Sequence, residues 1–330
     1  MVSTPCDNCV NSTMATGGYG RLVSEPNALV WLPFEVDVLP DPPGSLRYEM
    51  FVPERGVEPP ASITDVEVYV PPYQFSPHDS DVMSRMSALR VVQSMSAGVD
   101  HLLPFVPSGV TLCRGGGIHD ASTAELAVAL VLASLRGLPD FVRSQDMTQW
   151  KPEWTTSLAD RKVLIVGYGS VGVAIQRRLD GFEVEVTRVA RSAREGVHAL
   201  TELPTLLPEA DVVILIVPLT DETRGMVDAD FLSHMSEGAL LVNMSRGQVV
   251  DTDALVAELE GGRLRAALDV TDPEPLPEDH PLWRTPGVLI VPHVGGASSA
   301  MWPRAHRLVS DQLARFAKCE PLEYVVKGDY

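Results

Sequence analysis

Cysteine is scarce in this 330-residue chain: Cys6, Cys9, Cys113 and Cys319 are too few and too scattered to staple a fold of this size. A reducing compartment suits them. Cys6 and Cys9 form a C-x-x-C, which is either a metal or redox pair or a chance spacing; no second Cys/His pair lies near it and no strand precedes it. Basic charge is outweighed, 26 Lys and Arg against 44 Asp and Glu, and the net charge of -18 opposes broad attraction to nucleic acid or an anionic membrane surface. Any anionic ligand therefore needs a local cluster of arginine. No apolar run approaches the roughly 20 residues that span a bilayer. The N-terminus also lacks the basic-then-apolar pattern of a secretory signal. A soluble, cytoplasmic protein with no nucleic-acid or membrane partner is expected. His101, His119, His234 and His280 have no metal-ligand spacing with neighbouring Cys, Asp or Glu, so no metal is expected.

What is present is enough apolar material for two cores, 45% of the residues. Residues 1–26 are rich in Ser, Thr, Gly and Asn without apolar periodicity and are expected to form a disordered extension. Apolar runs then recur between Pro/Gly-rich breaks at Ala28 to Phe34, Leu46 to Val52, Val66 to Val70, Leu89 to Met95 and Val110 to Cys113, the pattern of buried parallel strands. Ser96 to Asp100 (SAGVD) follows the fourth run, at the strand end where parallel sheets present ligand loops. Ser122 to Arg136 reads as a helix capped by Ser122 with Glu125 three residues on, and its nearly all-apolar body predicts burial in a subunit interface, hence a homodimer. A polar stretch with Trp150 and Trp154 precedes a second series of runs: Lys162 to Val166, Val184 to Val189, Val212 to Val217, Ala239 to Asn243, Ala266 to Val270 and Val288 to Val291. Strands alternating with helices predict a doubly wound sheet. A helix around Ala305 to Ala317 and the tail Leu322 to Val326 return to the first domain.

Gly167-Tyr168-Gly169-Ser170-Val171-Gly172 lies between the strand KVLIV and the helix AIQRRL. The first glycine permits the tight turn, the second lets a pyrophosphate reach the backbone and the third lets helix pack on strand, so strand, loop and helix together specify a dinucleotide site. An NAD site usually carries Asp or Glu about 20 residues later. This chain has Thr187-Arg188-Val189-Ala190-Arg191-Ser192-Ala193-Arg194, without a carboxylate. Arg191 with Ser192, joined by Arg188 or Arg194, suits a 2′-phosphate, which favours NADP(H); NAD(H) binding through other contacts stays open.

The blocks VPLTDETRGMVD, LLVNMSRGQVVD, ALDVTDPEPL and VPHVGG follow in order between Val217 and Gly296. In them the chain resembles the D-isomer-specific 2-hydroxyacid dehydrogenases, most nearly the glyoxylate/hydroxypyruvate reductases; the likeness is strong over 161–296 and weaker from about 28. It implies an α/β fold of two doubly wound parallel-sheet domains with a cleft between: a flavodoxin-like substrate domain at 27–119 plus 300–330, and a Rossmann NAD(P)-binding domain at 120–299. It implies that His293 exchanges the proton, that Glu274 bonds the imidazole and raises its pKa, and that Arg246 grips the carboxylate and carbonyl oxygen of a small anionic 2-oxo or 2-hydroxy acid. Ser96, Ala97 and Gly98 would add backbone contacts to that carboxylate. Val217, Pro218, Thr223, Met244, Ser245, Asp269 and Gly295 would line the cofactor; Asp269 is either a ligand of the nicotinamide carboxamide or a helix cap. Two departures touch the pocket and the cofactor: His119-Asp120 stand where many relatives carry Asn, and the arginine-rich loop replaces the usual acid.

NAD(P)H-dependent reduction of a small 2-oxo acid to the D-2-hydroxy acid is the expected activity. Oxidation of 3-phosphoglycerate or phosphite, and a non-catalytic dinucleotide-sensing role, are the alternatives. Formate oxidation fits less well because that branch carries Gln where Glu274 stands.

Overall fold

The computed structural model describes residues 27–54, 56–73 and 80–327. The N-terminal extension and its Cys6–Cys9 motif lie outside them. Contacts divide the chain into two units: one runs to Met95 and adds His101–Gly115 and Ala305–Val326; the other holds Ser96–Asp100, Gly116–Arg304 and the residues from Lys327. The SAGVD loop thus groups with the second unit, whereas the domain boundaries drawn from sequence put it in the first.

In the first unit, β1 (Leu29–Leu32), β2 (Arg47–Met50), β3 (Val66–Tyr69), β4 (Val91–Gln93) and β5 (Thr111–Cys113) form a parallel sheet in the order β2-β1-β3-β4-β5. β1 is buried at every position, as expected where a parallel sheet is covered on both faces. Trp31, Tyr69 and Phe316 are the bulkiest wholly buried side chains here. The tail returns as expected: Cys113 bridges Val325 in antiparallel fashion, and buried Gln312 donates to Gln93 at 2.8 Å.

The second unit has β6 (Lys162–Val166), β7 (Glu185–Ala190), β8 (His198–Ala199), β9 (Val212–Leu215), β10 (Leu240–Asn243), β11 (Arg265–Leu268) and β12 (Val288–Ile290), all parallel. Their order is β12-β11-β10-β9-β6-β7-β8, so the winding reverses between β6 and β9. Ligands of such sheets sit beyond the strands' carboxyl ends at that reversal. Side chains alternate across the sheet. Val163 and Ile165 join the layer built with helices Asp120–Leu135 and Ser170–Leu179, while Leu164 and Val166 join the opposite layer with Leu203, Phe231 and Leu255.

The long apolar helix begins at Asp120, two residues before the expected cap, and His119 holds the cap position without a side-chain bond. Ser122 is buried inside the first turn, where its hydroxyl pairs with Ser298 Oγ at 2.6 Å and caps nothing. Ala124, Ala127 and Val131 pack on Ile175 and Leu179, so most of the apolar body is covered inside its own unit, and a subunit interface is not needed to explain it. A helix at Leu138–Asp146 and the short β8 are additions to the sequence expectation. Among the described residues no single helix is long and apolar enough to cross a membrane, and no group of three His, Cys, Asp or Glu side chains is arranged to hold a metal ion.

Gly247 follows β10 where two loops touch. A Cβ there would lie 1.9 Å from the Thr271 carbonyl oxygen, a backbone atom with little room to move. Gly247→Ala is expected to cost the second unit at least about 1–3 kcal/mol of stability, the usual penalty of overpacking. A urea midpoint equal to that of the wild type would refute this.

Candidate active site

The carboxyl ends of β6, β7, β9, β10 and β11 each supply part of the site. β6 runs into Gly167, whose φ of 109° needs glycine and whose added Cβ would lie 2.4 Å from Ile216 O. A Cβ on Gly172 would lie 2.6 Å from Gly167 O, so this glycine lets helix Ser170–Leu179 close on the strand. A Cβ on Gly169 would meet no protein atom within 4 Å. The protein's own packing does not require that glycine, and the open side is the one a pyrophosphate approaches, at the positive end of the helix. The turn fits a dinucleotide.

Beyond β7, the arginines divide. Arg188 donates to Gln176 Oε1 at 2.8 Å and Arg194 to Tyr168 O at 2.6 Å, and both guanidinium groups lie within 6 Å of the Tyr168 ring centre (5.6 and 5.9 Å). They brace the glycine loop. Arg191 and Ser192 are exposed, and Arg191 pairs with Glu222 at 3.3 Å. After β9, Val217 N–H donates to buried Ser245 Oγ at 3.0 Å, and buried Thr223 donates to Pro218 O at 2.6 Å, which knits its own loop together.

Buried Asn243 ends β10 and shapes the turn that presents Arg246. Its Oδ1 accepts Ser245 N–H at 3.0 Å and its Nδ2 donates to Arg246 O at 3.0 Å. Arg246 in turn meets the SAGVD loop through Asp100, with Nη2 and Asp100 Oδ1 3.1 Å apart. Asp269, just past β11, is buried and spends both carboxylate oxygens on the backbone: Oδ1 accepts Val294 N–H at 2.7 Å and Oδ2 accepts Gly295 N–H at 3.0 Å. It acts as a clamp on the loop after β12, a role that the sequence reading does not give it. Burial pushes its carboxyl upward, and the two N–H bonds offset only part of that rise.

That clamp holds His293, whose φ of 51° lies in the left-handed region that costs a non-glycine residue roughly 1–2 kcal/mol. Its own N–H donates to Asp269 O at 2.7 Å. His293 Nδ1 lies 2.5 Å from Glu274 Oε1. A carboxylate only accepts, so Nδ1 carries the proton and Nε2 faces away from Glu274, ready to exchange another. The Glu274 hydrogen bond raises His293 against the effect of burial; the Glu274 and Asp269 charges add to the rise, and Arg246 opposes it. Burial alone would raise Glu274, but the bond to His293, its charge, a bond from Thr271 N–H and the charge of Arg246 together hold it below the usual carboxylate range.

The structure therefore brings His293, Glu274, Asp269, Arg246 and the SAGVD loop together, and leaves Arg191 and Ser192 at a separate strand end. Asp100 and Asn243 belong to the site and are not among the residues singled out from sequence. Asp100 sits in the quoted SAGVD motif, where a carboxylate ending a candidate anion loop is itself a signal. Asn243 reads only as the last residue of an apolar strand.

Residues 128–295 match the family model described as the NAD binding domain of D-isomer specific 2-hydroxyacid dehydrogenases. The glyoxylate reductase/hydroxypyruvate reductase of Homo sapiens is 35% identical over 253 residues, 72% of this chain and 77% of that protein. Among solved structures, a D-isomer specific 2-hydroxyacid dehydrogenase from Xanthobacter autotrophicus Py2 in complex with NADPH and MES superposes with a TM-score of 0.78 at 28% identity, over 92% of this chain and 98% of that one. An NADPH-dependent glyoxylate/hydroxypyruvate reductase from Sinorhizobium meliloti, in complex with NADP and malonate, gives 0.74 at 28% identity, over 92% and 97%.

The His293–Glu274 pair has a defined pH window. A raised histidine stabilises the fold fully below its ordinary value of 6.5 and loses that contribution as pH rises through its raised value. A lowered carboxylate contributes above its ordinary 4.5 and loses the contribution as pH falls through its lowered value. The pair is thus strongest between those two ordinary values. In an NMR titration His293 is expected to titrate above a free histidine, and Glu274→Gln is expected to bring it down; an unchanged midpoint in the variant would show that Glu274 does not hold the proton.

Proposed function

The chain belongs to the D-isomer specific 2-hydroxyacid dehydrogenases, and we propose that it reduces a small 2-oxo acid such as glyoxylate or hydroxypyruvate to the D-2-hydroxy acid, with NADPH preferred over NADH. The observation that carries this reading is the His293–Glu274 pair beside Arg246 at the strand ends of a dinucleotide-binding sheet: an acid, the group that keeps it charged, and a cation for a carboxylate. The Gly167–Gly172 turn and the loop after β7 would hold the cofactor, which when bound supplies the hydride for the carbonyl carbon. Arg191 follows β7 in a stretch, Thr187–Arg194, that carries no carboxylate of its own, and an exposed guanidinium there favours a 2′-phosphate.

His293 donates the Nε2 proton to the carbonyl oxygen as that oxygen gains negative charge. Glu274 keeps the imidazolium populated near neutral pH and fixes its orientation through Nδ1. Arg246 binds the carboxylate and steadies the carbonyl oxygen, so the group that accepts hydride and the group that donates the proton meet at one carbon–oxygen bond. Asp269 holds the His293 loop in place through its bonds to Val294 and Gly295 N–H.

We propose further that two copies of the chain associate. Trp150 and Trp154 are wholly exposed at 98% and 105%, and Leu138, Val142 and Met147 on the same stretch are more than or about half exposed. Five large apolar side chains in one short segment exceed the scatter of single exposed residues that a monomer carries freely.

Absorbance at 340 nm, with NADPH and NADH in parallel against a panel of 2-oxo acids, tests the activity. NADPH oxidation with glyoxylate or hydroxypyruvate is expected, and His293→Ala is expected to lower kcat about 10²–10⁴-fold while leaving cofactor binding intact. Silence across the panel with cofactor still bound would favour a sensing role instead. Light scattering is expected to give a dimer mass that falls to a monomer's when Trp150 and Trp154 are both changed to Glu; a monomeric wild type sinks the association.

A further inference from the structure

We propose that Asp100 is a positioning residue for the reaction: it clamps one edge of the Arg246 guanidinium so that the outer fork is left for the substrate carboxylate. This rests on the function proposed above and extends it to a residue given no role there. A guanidinium holds five N–H bonds in a rigid plane. Nε donates to Asp100 Oδ1 at 3.2 Å and lies 3.4 Å from Oδ2, Nη2 lies 3.1 Å from Asp100 Oδ1, and Nη1 donates to the Ser245 carbonyl at 2.9 Å. Asp100 thereby takes the Nε N–H and lies beside Nη2 as its ion-pair partner, and Ser245 takes one N–H of Nη1. An outer N–H is left on each terminal nitrogen. In a planar guanidinium these two run parallel, at the spacing of two carboxylate oxygens. Lysine, with one nitrogen, offers no comparable division of labour.

The loop carrying Asp100 is built to lie against this group. A Cβ on Gly98 would fall 1.9 Å from Arg246 Nη2, so glycine at that place is what lets the loop come close enough for Asp100, two residues on, to reach Nε. Both side chains are 24% exposed, far less than the surface pairs of this chain such as Arg143–Asp140 at 64% and 74%. A pair so covered is screened less by water and salt than those are. The same carboxylate has an electrostatic effect. The charged groups around His293 are Glu274, Arg246 and Asp269, and of these Arg246 disfavours the imidazolium. Asp100 offsets part of the Arg246 field, so it supports the proton donor at one remove while it aims the carboxylate clamp.

Asp100→Asn keeps the size and an acceptor but removes the charge; Asp100→Glu keeps the charge on a longer arm. In Asp100→Asn the KM for the 2-oxo acid is expected to rise about 10- to 100-fold, the scale of a misplaced positioning group. The dissociation constant for NADPH should stay at the wild-type value, and the basic limb of kcat/KM should move to lower pH. Asp100→Glu is expected to return that limb toward the wild type. A KM and a pH limb both unchanged in Asp100→Asn overturn the proposal. A wild-type protein that turns over no 2-oxo acid overturns the functional reading instead. The NMR titration of His293 then decides on Asp100 alone: a lowered midpoint in Asp100→Asn supports the coupling, and an unshifted one overturns it.

Discussion

The buried carboxylate of Asp269 is the fixed point of this site. It leaves β11 bonded through its own N–H to Asn243 O at 3.0 Å and receives the N–H groups of His293, Val294 and Gly295 on its carbonyl and side-chain oxygens. Without those bonds His293 would keep only its N–H bond to Val291 O at 3.0 Å to hold it at a positive φ, and the imidazole would lose its alignment with Glu274. An ionised carboxylate is costly to bury unless several donors satisfy it. Here the donors are backbone groups of the loop it must hold, so the cost of burial and the order of the loop are the same set of bonds.

Around that point the charges alternate. Asp100 faces Arg246, Arg246 acts on Glu274 and His293, and Glu274 bonds His293. Each cation has its own carboxylate, and the cation that would grip a substrate acid is also the one that presses the imidazolium toward losing its proton. Binding of a carboxylate at Arg246 would relieve that pressure, so in the proposed reaction His293 would be best charged when a substrate is there to use its proton. The direction follows from Coulomb's law alone.

Much of this is legible in the sequence, for physical reasons that differ from part to part. Strands buried on both faces must be nearly continuous apolar runs, so β1, β6, β9 and β10 announce themselves, while the two-residue β8, half exposed and containing His198, has no such signature. The helix start at Asp120 is missed because Ser122 looks like a cap; the serine is taken by Ser298, 176 residues away, which local pattern cannot foresee. Arg246, Glu274 and His293 stand out because they lie in distinctive motifs. Asp269 and Asp100 lie in motifs too, but what they hold is not local: Asp269 works on backbone N–H groups of another loop and Asp100 on a partner 146 residues distant, so these roles appear only in three dimensions.

The loop Ser96–Asp100 also bears on how such a protein is assembled from parts. It is encoded between stretches that build the first unit, yet it belongs by contact to the second. A gene segment running from Gly116 to Arg304 would transplant the whole seven-stranded sheet, with the glycine turn, His293 and Glu274, and would leave the anchor of Arg246 behind. Shuffling of the nucleotide-binding half onto a new partner therefore hands over hydride and proton chemistry intact, but obliges each recipient to supply its own means of steering the arginine.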